Sequence, residues 1–116
     1  MMAAALVLAP IAGVACECES LDGDTAAVAE IQSSWAGGYR LGQAGEYGRA
    51  LVVLRSTLPD LGRIHDLRAR RCVAAGAANL IAWAGAGDVY VRRHPGDGDG
   101  AKVAAARAWR FFTDCR

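Results

Sequence analysis

From residue 25 onward the apolar positions of this chain recur every three or four residues, with polar positions between them. That period belongs to helices rather than strands. From Thr25 to about Gln43 the stripe is Val28, Ile31, Trp35, Gly38 and Gly42, and Asp24 stands where an N-cap carboxylate is favoured. Ala44-Gly45 interrupts it. A second helix is predicted from Glu46 to about Thr57, with Tyr47, Ala50, Leu51, Leu54 and Leu58 on one face. Pro59 ends it, having no N–H to continue the ladder and restricting Leu58 before it. The third predicted helix begins at Asp60 or Arg63 and runs to Trp83. Its first half, R-I-H-D-L-R-A-R-R, is charged around most of its circumference. Its second half sets Cys72, Gly76, Leu80 and Trp83 on one face and is small and apolar nearly all round, which predicts a central position. Periodicity ends over Ala84 to Gly100, where either a short helix or an extended piece at Asp88–Val91 precedes a turn at His94-Pro95. A last helix, Ala101 to about Thr113, aligns Ala104, Ala105, Ala108, Phe111, Phe112 and Cys115. The expected fold class is all-α, a small bundle of about four helices that opens with a helical hairpin.

The stretch G-G-Y-R-L-G-Q-A-G-E-Y-G-R-A-L-V-V-L resembles a tetratricopeptide-type hairpin. The match lies at Gly38, at the Gly45-Glu46-Tyr47 turn, at Ala50, and at Leu54 in place of an aromatic. Trp35 sits one place late, Thr57 replaces the usual alanine and Gly62 stands where proline is expected. One unit covering about a quarter of the chain is not an array, which needs about three or more. An ordinary hairpin with glycine at its turn accounts for the same residues. The resemblance implies a protein-interaction scaffold without catalytic residues.

Composition narrows the class further. A chain of 116 residues holds one core, and its 25 alanines and 14 glycines favour closely packed helices. Arginine outnumbers lysine 12 to 1, as a GC-rich (bacterial) coding genome would produce. The net charge of +1 suggests neither a dedicated nucleic-acid binder nor an acidic-tail protein, and no nucleic-acid partner is expected. Arg63, Arg68, Arg70 and Arg71 would join Arg92 and Arg93 only if the intervening chain folded back, and they spread around their helix rather than track a phosphate backbone.

The first residues alter the picture of compartment. Residues 3–15 carry no charge, and Gly13-Val14-Ala15 places small residues where signal peptidase cuts. Residues 1–15 are therefore expected to be a signal peptide, and 16–116 a single exported helical domain, periplasmic or secreted. The basic n-region is missing, as it would be if the true start lay upstream. Two other readings use the same residues. Residues 3–15 form a core helix, or Ala12-Gly13-Val14-Ala15-Cys16 is a lipoprotein box, the only case that implies a membrane.

In an oxidising compartment the four cysteines read as braces. Cys16 and Cys18 are too close to bond one another without strain, so bridges from them to Cys72 and Cys115, or between Cys72 and Cys115, are the expected pairs. Cysteines converging with His65 or His94 on a metal form the alternative, although one C-x-C lacks zinc-ribbon spacing. Ser33, Ser34, Ser56 and Thr57 have no nucleophile-elbow context, and Asp97-Gly98-Asp99-Gly100 lacks the later acidic ligand of a calcium loop. The expectation is a non-enzymatic interaction module with no cofactor, no resident metal and an unknown protein partner. Its candidate surface is Trp35, Tyr39, Tyr47, Arg68 and Arg71. The alternative is a periplasmic protein binding a small ligand or metal through Cys and His.

Overall fold

The computed structural model of the protein describes residues 22–109. The signal segment, Cys16, Cys18, Cys115 and the Phe111-Phe112 pair lie outside the described residues. Within them are four α-helices and no strand: α1 Thr25–Gln43, α2 Tyr47–Arg55, α3 Leu67–Arg93 and α4 Gly98–Trp109. Short 3-10 turns occupy Asp22–Asp24 and Leu58–Arg63. The fold class is all-α.

α1 buries the predicted stripe, Val28, Ile31, Trp35, Gly38 and Gly42. It ends in a Schellman turn, in which Glu46 N–H donates to Leu41 C=O and Gly45 N–H to Gly42 C=O, each at 2.9 Å. Gly45 adopts φ 88° there, a left-handed conformation open to glycine at little cost. The reversed chain enters α2, which turns Tyr47, Ala50, Leu51 and Leu54 inward. Gly38 lets the two helices close, because a Cβ there would stand 2.9 Å from Leu54 Cγ. Leu58, expected on this stripe, instead begins the 3-10 turn beyond the helix and is exposed. Thr57, buried in its place, donates its hydroxyl to Leu54 C=O at 2.6 Å.

α3 is the axis of the bundle and packs on the other three helices. It extends ten residues past the expected Trp83, to Arg93. The periodicity fades there because the buried positions are Ala84 and Gly87, which carry almost no hydrophobic signal. Gly87 is buried by Tyr47, whose ring would meet a Cβ at 2.5 to 2.7 Å. By length and composition alone α3 would also span a bilayer, yet its apolar face is the core of the bundle. Val73, Ala77, Leu80 and Ala84 are completely buried there.

The start of α3 is held from a distance. Asp66 caps it locally, accepting from Ala69 N–H at 2.8 Å. Asp24 forms no side-chain cap on its own helix α1. Its carboxylate instead receives the backbone N–H groups of His65 and Asp66, at 2.9 and 3.0 Å. Two donors that precede the helix are thereby satisfied inside the protein. α4 returns antiparallel to α3 after a turn in which Gly96 takes φ 85°. Asp97 caps it, accepting from Gly100 N–H at 3.0 Å and from the Tyr90 hydroxyl at 2.6 Å.

Candidate functional site

The α1–α2 and α3–α4 turns lie at the same end of the bundle, and a cleft opens between them. An inner cavity of about 330 Å³ is lined by Tyr39, Gln43, Tyr47, Trp83 and Lys102. It adjoins an outer cavity of about 380 Å³, which shares Gln43, Tyr47 and Lys102 and adds Val91, Ala101 and the His94–Asp99 turn. The dimensions suit a small ligand or one or two side chains of a partner.

Packing around Trp83 forms the inner wall. Tyr39 stacks on its ring with centroids 4.9 Å apart and planes 28° from parallel. Tyr47 and Trp109 meet it edge-on at 5.6 and 5.7 Å. Both geometries are favoured by the ring quadrupoles. The cluster depends on Gly42, since a Cβ there would overlap the six-membered ring of Trp83. Burial pushes the Tyr47 phenol up from its ordinary pKa, with the neighbouring Tyr39 adding to the shift. Lys102, the one lysine of the chain, stands at the junction of both cavities and forms no ion pair with the described residues. On the outer rim, the Tyr90 hydroxyl and then Gly100 N–H hold the Asp97 carboxyl below its ordinary range.

The candidate surface residues separate into two groups. Tyr39 and Tyr47 line the cleft, although Tyr47 is only 3% exposed. Trp35 is 2% exposed and belongs to the core, where its Nε1 has no hydrogen-bond partner among the described residues. Arg68 and Arg71 are exposed on the first turns of α3, roughly 20 Å along the helix from Trp83 at 1.5 Å per residue. The five do not form one surface. The helical pattern assigns Trp83 only to the apolar face of a central helix and gives Gln43 and Lys102 no role in a site. The available signal was that Lys102 is the sole lysine.

The arginine clusters and the two histidines also divide between opposite poles. Arg63 is paired with Glu30 through two bonds of 3.0 and 3.2 Å, and Arg70 Nε donates to Ile64 C=O. Arg92 pairs with Asp88 at the far end. His65 lies 3.2 Å from Asp24 Oδ1 before α3 begins, and the His94 ring meets Tyr90 at a tilt of 34° after it ends. A helix of 27 residues separates them, or about 40 Å, so one metal ion cannot hold both. Among the described residues no three His, Cys, Asp or Glu side chains converge on a metal position. The Ser56 and Thr57 hydroxyls donate to carbonyls of α2, and neither lines the cleft.

Cys72 is the single cysteine among the described residues, so no cysteine pair stands within them. No family model, curated protein or solved structure matches this chain.

Proposed function

We propose that this protein is an exported, non-enzymatic interaction module that takes a segment of a partner protein into the cleft between its two glycine turns. One observation carries the reading. Two adjoining cavities share Gln43, Tyr47 and Lys102, and aromatic rings wall the inner one. Aromatic side chains in a partly desolvated pocket, with a few polar groups at the rim, are the usual anchors of protein recognition. A tetratricopeptide-like reading of the α1–α2 hairpin is compatible with this role and is part of the proposal.

Export and disulfide bracing belong to the same reading. The apolar run before Cys16 supports the first. The second rests on the even cysteine count of an exported chain, and Cys16, Cys18 and Cys115 are the candidate partners for Cys72. A bridge closing tens of residues contributes about 4 kcal/mol in the chain-entropy picture. Intact mass with and without reductant, on protein from an export-competent host, tests both. A chain beginning at Cys16 with oxidised thiols is expected. Retained Met1 with four free thiols, and so no change of mass on reduction, would refute export and bracing together.

The cleft itself is tested by placing a photo-crosslinking residue at Gln43, with Val52 on the outer face of α2 as the control. Adducts with a polypeptide are expected from position 43, fewer after Tyr39→Ala, and none from position 52. Equal labelling from both positions would remove the cleft from consideration.

A further inference from the structure

The chemistry of the inner cavity narrows what the cleft would accept, given the reading above that it binds a partner segment. Its five lining residues supply two phenols, an indole, a primary amide and one ammonium, but no carboxylate. Among the described residues, Lys102 is therefore the only ionised group lining that space. It stands beside aromatic faces with no carboxylate from the described residues paired to it. A ligand that left this ammonium partly desolvated and unpaired would lose affinity, whereas one carrying a carboxylate would gain a charge-assisted hydrogen bond. The outer cavity adds carboxylates to the shared Lys102. Asp97 and Asp99 both line it, and the Asp97 carboxylate is already engaged by Tyr90 and Gly100.

We infer that the cleft recognises an internal partner segment in which an aromatic side chain is flanked by a single Asp or Glu. The aromatic ring enters the inner cavity against the half-buried Tyr39, with Trp83, only 7% exposed, packed behind it, and the acidic side chain meets Lys102. Further acidic residues running into the outer cavity would face Asp97 and Asp99 and be repelled. The motif is thus one acid beside one ring, rather than an acidic tract. A polypeptide, rather than a free aromatic acid, is favoured by the continuity of the two cavities, because the outer one provides a path for the residues adjoining the anchor.

The test uses peptides blocked at both ends, titrated into the full chain while the Trp83 indole and Lys102 amide resonances are followed. Gly-Ser-Asp-Phe-Ser-Gly is expected to shift both and to bind about tenfold more tightly than its Asn-Phe counterpart, a gap of about 1.4 kcal/mol. Lys102→Gln is expected to erase that gap and Lys102→Arg to preserve it. Lys102 is exposed, so both variants should fold, which an unchanged melting curve would verify. Equal affinity of the Asp-Phe and Asn-Phe peptides overturns the acidic requirement. So does tighter binding of a peptide with four consecutive acids. Phenylacetate binding as tightly as the peptide overturns the polypeptide assignment in favour of a small-acid site. Peptides that leave the cleft resonances unmoved while Gln43 still crosslinks a partner overturn this motif alone. Loss of the crosslink as well overturns the cleft reading itself.

Discussion

The carboxylate of Asp24, at the entry to α1, receives the backbone N–H of Asp66, the residue that caps α3. Two aspartates in series thus fix where the central helix begins. Asp24 is 2% exposed, and its contacts join segments more than 40 residues apart in sequence. Replacing it by alanine leaves two amide donors without their acceptor. Asp24→Ala is expected to lower the melting midpoint by roughly 5–15 °C, with Asp24→Asn intermediate because it keeps one acceptor oxygen. A thermal melt at pH 7 decides; an unchanged midpoint would show that Asp66 fixes the helix start unaided.

Acid should weaken the same contact. The N–H donors of His65 and Asp66 hold the Asp24 carboxyl below its ordinary pKa. The Arg63 hydrogen bonds do the same for Glu30. A carboxyl depressed in the folded state stabilises the fold at pH values above its unfolded pKa of about 4, and that contribution is lost as pH falls through the folded value. Urea midpoints should therefore be flat above about pH 5 and decline toward pH 2. Wild type and Asp24→Asn should converge as the pH drops. A gap that stays constant down to pH 2 would mean that the charge on Asp24 is irrelevant.

Neighbouring glycines on α1 should respond in opposite directions to the same substitution. A Cβ at Gly37 meets nothing within 4 Å, so Gly37→Ala is expected to stabilise by about 0.5–1 kcal/mol through reduced freedom of the unfolded chain. A Cβ at Gly38 would press on Leu54, which is completely buried and has no room to retreat. Gly38→Ala is expected to cost about 1–3 kcal/mol. Chemical denaturation of the two variants side by side measures the difference, and effects of the same sign would contradict the close approach of α1 and α2.

Asn79 is fully buried in α3, and neither its Oδ1 nor its Nδ2 has a hydrogen-bond partner among the described residues. An apolar side chain of similar size relieves that desolvation cost. Asn79→Leu is expected to stabilise by about 1–3 kcal/mol, whereas Asn79→Asp should destabilise strongly by burying a charge. Urea denaturation of both variants provides the measurement. A less stable leucine variant would mean that the amide has a partner or a task inside the protein.

The parts of this fold that were readable in the sequence are those where large apolar side chains mark the buried face. α1 lies where Val28, Ile31 and Trp35 place it, and its break falls at Ala44-Gly45 as expected. The end of α3 was not readable, because burial at Gly87 comes from the Tyr47 ring on another helix rather than from any property of glycine. Asp24 was recognised as a helix-terminal acid, but its donors belong to a turn brought near only by folding. The cleft was half visible. Tyr39 and Tyr47 stood out as aromatics, while Lys102 and Gln43 gain meaning only when the two turns meet at one end. Arg68 and Arg71 share the chain's commonest charge, and nothing in their spacing told which pole they would occupy.

The two ends of the bundle answer to different demands. One is tied by the buried Asp24 carboxylate, with the exposed Glu30–Arg63 pair beside it. The other consists of two tight reversals around Gly45 and Gly96, whose flanking residues are largely exposed. Mutations around those reversals can accumulate without unravelling the helices, provided the two glycines remain. The protein therefore resembles a tool with a fixed handle and an exchangeable tip. Sequence change at the tip leaves the four helices in place, so that end is free to diverge while the handle keeps the fold.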